Sequence, residues 1–591
     1  MKDFLKYVLA TVVGILLYSV VSSFIFLGII GIIAAASGDK DVKIKENSIL
    51  YLKLDKPIVD RASNNPFENF NFQTFQPNNE LGLNKILKDI KKAKEDDKIK
   101  GIFMELSYTH AGIATIEEIR NSLIDFKQSG KFIYTYSDNI SQTAYYLASV
   151  SDKIYLEPVG SIEIKGLYSK IAFFKGTLQK LGIEPLIFRH GKFKSAIEPF
   201  MLDKMSEANK EQTRTFVQSI WDYMVEGIAE QRNLTPAQVN KIADEFAIRN
   251  INDAVEYNII DGAKYRDEVI DELVEKTEAK SPEKLRLVKL SKYSKVKTHK
   301  KRKGKDVRKK IAVVYASGEI KMGKSEKGTL GSETIAKAIR KARCDSNIKA
   351  IVLRVNSPGG SGLASDIIWR EVTLAKKDKP VIVSMGDLAA SGGYYISCPA
   401  DVIVANKTTI TGSIGVFGLL FNTQELMNKK LGVTFDGIKT NEFADLPDLT
   451  RPMTEQEKQI IQTNVNNFYK IFIGHVADGR DMTTDDVDKI GQGRVWSGVN
   501  AKDINLVDEF GGLNKAIEIA ADKAGIEDYK IVDYPKQADP FEEMIKDLTG
   551  GVMMKFMKTE LGDKYYFYQK IKTLQDMQGI QARMSYDVEM Y

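Results

Sequence analysis

The chain contains one long pattern twice. Lys98-Ile99-Lys100 matches Asn347-Ile348-Lys349, and Ala144-Tyr145-Tyr146-Leu147 matches Gly393-Tyr394-Tyr395-Ile396. Ser151-Asp152-Lys153-Ile154 runs parallel to Ala400-Asp401-Val402-Ile403, all at one offset (394 − 145 = 249). With small slips the match continues through Met205-Ser206-Glu207 with Met453-Thr454-Glu455, and Asn258-Ile259-Ile260-Asp261 with Asn505-Leu506-Val507-Asp508. A repeat on this scale means two copies of a domain, not a solenoid of short units. The length of 591 residues agrees, being too great for a single core.

Within each copy, short apolar runs alternate with helical spacing. Residues 99–106 and 132–136 read as strands around a helix over 116–126. The second copy repeats this with strands at 311–315, 350–355 and 381–385 and a helix over 364–375. Strands alternating with helices of this length predict βαβ units, an α/β fold and a mainly parallel sheet in each copy. Residues 60–80, rich in Asn, Phe, Pro and Gln, read as an extended loop.

The segments outside the repeats have their own character. From Tyr7 to 37 there is no charged residue, a run long enough to span a bilayer, so residues 1–40 are expected to be an uncleaved transmembrane anchor. Lys2 and Lys6 favour a cytoplasmic amino end, with the remainder outside the cytoplasm, although Lys40, Lys43 and Lys45 weaken that charge signal. The organisation then reads as a first repeat domain over 45–283, a basic linker over 284–310, a second repeat domain over 311–535, and a helical tail over 536–591. The linker holds fourteen Lys/Arg against Asp306 alone, a charge of +13, leaving the rest near −7 (6 − 13 = −7). Such a run suits a solvated connector or a contact with a membrane surface. No nucleic-acid-binding motif accompanies it, so no nucleic-acid partner is expected. Two cysteines, Cys344 and Cys398, and four scattered histidines build neither a disulfide framework nor a metal site, and no cofactor is expected.

The chemistry is read from the differences between the copies. The second has Asn356-Ser357-Pro358-Gly359-Gly360 where the first has Ser107-Tyr108-Thr109-His110-Ala111. It has Ala390-Ser391-Gly392-Gly393 where the first has Ser141-Gln142-Thr143-Ala144. Ser391 follows a strand and opens a helix, where free N–H groups and the dipole favour a developing anion; such a serine can also be a simple helix cap. The two glycines after Pro358 let backbone amides approach a ligand, or serve an ordinary turn. Both motifs fall at adjacent strand ends, where α/β sheets bind ligands. A serine nucleophile needs a base. No histidine lies nearby in sequence, but a buried lysine can act as one. The first copy offers Gly191-Lys192-Phe193-Lys194-Ser195-Ala196-Ile197-Glu198-Pro199-Phe200, whereas the corresponding 440–447 holds no lysine. Serine survives in one copy and lysine in the other, as expected of one site built across both.

Taken together, the lysine motif, Asn-Ser-Pro-Gly-Gly-Ser, Ala-Ala-Ser-Gly-Gly-Tyr-Tyr and the Thr411-Gly-Ser-Ile-Gly-Val-Phe-Gly418 run resemble the signal peptide peptidase A (protease IV) family in its long, duplicated form. The resemblance implies two tandem Clp-protease/crotonase-like domains behind a single-pass anchor in the bacterial inner membrane, with the catalytic part extracytoplasmic. It implies Ser391 as nucleophile, Lys194 as general base, Ser413 as the hydroxyl that orients the lysine, and the amides of Gly359 and Gly392 as oxyanion donors. It further implies remnant signal peptides and other extended apolar peptides as substrates, contact with membrane lipid, and a homo-tetramer. Two alternatives remain: a crotonase-like acyl-CoA enzyme, which needs no Ser/Lys pair, and a non-catalytic membrane scaffold, which would keep neither residue.

Overall fold

The structure, a computed structural model, describes residues 2–37, 43–63, 70–71, 76–77, 80–296, 308–537 and 579–584. Two of its sheets repeat one plan. The first orders its strands Gly262–Ala263, Lys153–Ile162, Phe132–Ile140, Ile99–Glu105, Ser48–Lys53, Arg286–Lys289, all parallel. The second runs Val495–Ser497, Ile410–Gly412, Val381–Ala390, Ile348–Ser357, Lys310–Ser317, Lys530–Tyr534, with only the first of these antiparallel to its neighbour. Central strands of such sheets are covered on both faces and so read as continuous apolar runs. Ile351, Val352 and Leu353 show this, all buried, one face against the helix Gly362–Asp378 and the other against Leu513–Lys523.

A third sheet joins the copies and positions the site. Its order is Thr329–Gly331, Glu319–Lys321, Gly359–Ser361, Ile580–Arg583, Phe417–Asn422, Glu184–Arg189. Glu184–Arg189 from the first copy pairs antiparallel with Phe417–Asn422 from the second over six residues, from Phe417↔Arg189 to Asn422↔Glu184. The lysine-bearing loop that follows Arg189 is thereby carried into the second copy.

Buried charges also cross the interface. Arg354, fully buried, holds Asp60 and Glu118 of the first copy, each at 2.7 Å. Glu117 accepts from the Thr408 N–H at 3.0 Å and its hydroxyl at 2.6 Å. Asp387 accepts from the Thr115 N–H at 2.8 Å and its hydroxyl at 2.6 Å.

Three segments depart from the sequence expectations. The basic stretch 284–310 is not wholly linker. Arg286–Lys289 is the edge strand beside Ser48–Lys53, and Leu290–Tyr293 is a helical turn whose Tyr293 is buried. Only Leu287 and Val288 lie between the charges of that strand, a run too short to show a strand period, and the surrounding lysines and arginines hid it. In the tail read as helical over 536–591, the described stretch Ile580–Arg583 is a strand; most of the remainder lies outside the described residues. The loop expected over 60–80 carries a short ladder, Phe70–Asn71 with Gln76–Pro77. Residues Lys2–Ser37 form one helix, with side chains described only as far as Phe24, and Phe4, Leu16 and Leu17 among them are exposed. Among the described residues no helix is long and apolar enough to cross a membrane.

Candidate active site

Lys194 is held from both copies. Phe193, Ile197 and Phe200 around it are buried apolar residues that anchor the loop. The buried Glu198 carboxylate accepts from the Ser206 N–H at 3.1 Å and from Asn209 Nδ2 at 2.9 Å, tying the loop to the start of the helix Glu207–Arg232. Gln212 on that helix bridges the copies. Its Nε2 donates to the Phe193 carbonyl at 3.0 Å and to Ser195 Oγ at 2.8 Å, while its Oε1 accepts from the Val495 N–H at 3.1 Å. From the second copy, the Gln492 carbonyl accepts from the Phe193 N–H at 3.0 Å. Gly493 has φ +84°, and a Cβ there would come within 2.7 Å of the Lys194 Cα. That position needs glycine both for its conformation and for the close approach.

Ser391 ends the strand Val381–Ala390 and precedes the helix Gly392–Ser397. Its φ of +54° is uncommon for a side-chain-bearing residue, and its N–H donates to the Gly412 carbonyl at 2.8 Å. Its hydroxyl makes no capping bond to the helix. The simple cap reading therefore fails. The lysine Nζ is 2.9 Å from Ser391 Oγ, 3.0 Å from Ser413 Oγ and 3.2 Å from the Ser413 carbonyl oxygen. Lys194, Ser391 and Ser413 are all completely buried. Among the described residues no carboxylate pairs with Lys194, and burial holds its pKa well below the usual lysine value. A neutral amine there donates twice and keeps a lone pair for a hydroxyl proton.

Gly359 and Gly392 lie together beside the serine: a Cβ on Gly359, which has φ +93°, would sit 2.7 Å from the Gly392 nitrogen. The Gly359 N–H donates to Ser357 Oγ at 3.1 Å, so in this conformation that amide is already engaged. All five residues singled out from sequence thus converge. The reading missed Gln212, the 491–493 turn and the strand Ile580–Arg583. Gly491-Gln492-Gly493 was a usable signal of close backbone approach, whereas a glutamine inside a long helix gives none. His475 is elsewhere, stacked on Trp369 at 3.5 Å between ring centroids and facing Asp366 at 3.4 Å.

A serine bonded to an unpaired buried lysine, beside glycine-lined backbone at the strand ends of a duplicated α/β chain, has the parts of a serine hydrolase that works without histidine. Comparison with known proteins narrows the class. The family model "Peptidase family S49" matches residues 125–280 and 373–527, once in each copy. Protease 4 of Salmonella typhi is 35% identical over 547 residues, covering 90% of this chain and 87% of that protein. Protease 4 of Haemophilus influenzae is 37% identical, covering 85% and 84% respectively. The chloroplastic serine protease SPPA of Arabidopsis thaliana is 32% identical, covering 92% and 78%. The chain belongs to peptidase family S49 and is a serine protease.

Proposed function

We propose that the chain is a membrane-anchored endopeptidase that uses a Ser391/Lys194 dyad to degrade cleaved signal peptides on the extracytoplasmic side of a bacterial inner membrane. The observation that carries the dyad is the fully buried, carboxylate-free amine 2.9 Å from Ser391 Oγ. Neutral Lys194 takes the Ser391 proton as Oγ attacks the scissile carbonyl, and returns it to the leaving amine. Ser413 keeps the amine aimed through its hydroxyl and its carbonyl. The Gly392 amide faces the developing oxyanion, joined by that of Gly359 once it turns from Ser357. Water then releases the acyl group by the same proton route.

An extended peptide suits the third sheet, where strands on either side of the site offer main-chain partners and the lining reads alternate side chains. An apolar signal peptide is the substrate that a membrane-held enzyme meets. The anchor reading rests on the uncharged run from Tyr7 to 37 and on apolar side chains exposed on the described part of its helix. Assembly into a homo-oligomer draws support from Leu431, Val433, Phe435 and Ile438, an exposed apolar stretch of the second copy.

The test is labelling of the purified chain with a fluorophosphonate and mapping of the adduct. Label on Ser391 alone, forming faster as pH rises along a single ionisation below that of free lysine, is expected. Label on Ser357 or Ser413 instead, or a rate indifferent to pH, overturns the dyad.

A further inference from the structure

Lys194 is the central residue of a three-residue turn. Its φ of −73° and ψ of 79° are close to those of an inverse γ-turn, and the Ser195 N–H closes the turn by donating to the Phe193 carbonyl at 2.7 Å. Phe193, Lys194 and Ser195 are all buried. A single bent hydrogen bond restrains so short a turn only weakly. The direction in which the lysine leaves the backbone therefore depends on what holds the two residues that flank it.

Gln212 holds both of them. Its Nε2 donates to the carbonyl of the residue before the lysine, Phe193, at 3.0 Å, and to the hydroxyl of the residue after it, Ser195, at 2.8 Å. A further contact reaches Asn209 Oδ1 at 3.2 Å, and Asn209 donates in turn to Glu198, later in the same loop. The amide has one orientation open to it. The Val495 N–H can only donate, so Oε1 faces Val495 and Nε2 faces the turn. Gln212 is completely buried, so these contacts are made away from bulk water. The second copy lacks this clamp together with the lysine. The helix Glu455–Arg480 corresponds to Glu207–Arg232 (455 − 207 = 248), and Ile460 stands in the place of Gln212 (460 − 212 = 248) with no donor to offer. The glutamine is present in the copy that has the lysine and absent from the copy that does not.

We propose that Gln212 is a positioning residue for the base: it clamps both ends of the turn and so aims Lys194 Nζ at Ser391 Oγ. The inference rests on the dyad reading above. Nζ meets Ser391 Oγ at 2.9 Å and Ser413 Oγ at 3.0 Å at the same time, which leaves little room for error. A tilt of about 10° at the Cα carries the tip of a side chain roughly 6 Å long by about 1 Å, and a misplacement of that size can cost about 10²-fold in rate. Through Val495 the same amide ties the turn to the copy that carries the serine, so the base is aimed only where the two copies meet. Gln212 contacts the turn and not Ser391. Its effect therefore falls on proton transfer rather than on peptide binding.

The experiment measures kcat and KM for an apolar peptide, and fluorophosphonate acylation across pH, on the full chain in detergent. Gln212→Met keeps the length of the side chain and removes its donors. It should lower kcat at least 30-fold at the pH of maximal rate, with KM within about twofold of wild type. Gln212→Glu still accepts from the Val495 N–H but donates to neither Phe193 nor Ser195. It should show a similar loss, and its acylation should need a higher pH, because an added buried carboxylate favours the protonated lysine. If Gln212→Met does not fold, Gln212→Glu carries the test. Trp221→Phe is the control on the same helix. It removes the bond from Trp221 Nε1 to Asn240 at 2.8 Å, away from the turn, and should leave kcat, KM and the pH profile as in wild type. A folded Gln212 variant with wild-type kcat overturns the positioning role and leaves the dyad standing. So does a variant in which KM rises while kcat holds, or an equal loss of kcat in Trp221→Phe, which would mark a general loosening of the helix. A wild type that takes no label at Ser391 brings down the dyad and the positioning role together.

Discussion

Ser391 and Gln142 hold the same place in two copies of one sheet (391 − 142 = 249), and their surroundings differ in kind. In the first copy the turn is relaxed. Ser141 has φ −72° and its hydroxyl caps the next helix, accepting from the Ala144 N–H at 3.4 Å. Gln142 is satisfied by its own copy: Oε1 accepts from the Lys165 and Gly166 N–H groups at 2.9 and 3.0 Å, and Nε2 donates to the Gly166 carbonyl at 3.0 Å. In the second copy the turn is strained, with φ +54°, the helix cap is unmade, and the hydroxyl faces a lysine brought from the other copy. A non-glycine residue with positive φ costs on the order of 1–2 kcal/mol, and burying a lysine away from any carboxylate disfavours its charged form. Such costs persist where the surroundings enforce them, which marks a site of function. The copies also differ in the preceding loop. Tyr108 is exposed in the first, whereas Gly359–Ser361 is built into the third sheet in the second.

The largest expected effect breaks the second copy at the dyad. Lys194→Arg should lose roughly 10³-fold or more in peptidase rate, because a guanidinium stays protonated and cannot accept the Ser391 proton. Lys192→Ala should be mild. Its Nζ lies 4.9 Å over the Phe193 ring rather than at the serine. Rates of peptide cleavage across pH measure both. An active Lys194→Arg protein would mean that the buried amine is structural and that the contrast between the copies lies elsewhere.

A second change probes how the copies are joined. Arg354 lies at the position equivalent to Glu105 (354 − 249 = 105). The arginine crosses to Asp60 and Glu118, whereas Glu105 stays within its own copy, accepting from Tyr51 at 2.5 Å and Arg266 at 3.1 Å. Arg354→Ala strands two buried carboxylates and should cost about 3–5 kcal/mol of stability. Glu105→Gln, at a side chain that is partly exposed rather than fully buried, should cost about 1 kcal/mol or less. Denaturant unfolding of both variants ranks them. A smaller loss for Arg354→Ala than for Glu105→Gln would mean that the interface does not depend on that ion cluster.

The duplication and the parallel sheets were legible in sequence because each leaves a local mark, an offset or an apolar run; the candidates Ser391, Lys194 and Gly359 stood out as differences between the copies, whereas Ser413 came only with the family resemblance. What was not legible involves partners distant along the chain. Glu184–Arg189 looks like any strand, and nothing in it says that its neighbour is Phe417–Asn422. Gln212 is one polar residue in a long helix, and its role exists only once Phe193 and Val495 meet it. Ile580–Arg583 is too short to show a period, and the Met, Tyr and Lys around it suggested a helix. Charge likewise masked Arg286–Lys289 as linker.

The smallest expected effect comes from the first copy and bears most directly on whether it is catalytically silent. Gln142→Ala removes an acceptor from two N–H groups on a segment that water can reach, so the stability loss should be near 1 kcal/mol. Peptidase rate should stay within a few-fold of wild type, since Lys194 and Ser391 touch nothing that moves. The stronger form restores the serine. A Gln142→Ser, Ser391→Ala double variant has a hydroxyl in the first copy and none in the second. It should remain inactive and take no fluorophosphonate label. The stretch that would have to supply a lysine, 440–447, has none and is largely exposed. The turn at Ser141 and Gln142 also lacks the positive φ that aims the Ser391 hydroxyl. Label at position 142 of that variant would show that the fold of either copy suffices to activate a serine, and that asymmetry between the copies is not what makes this site.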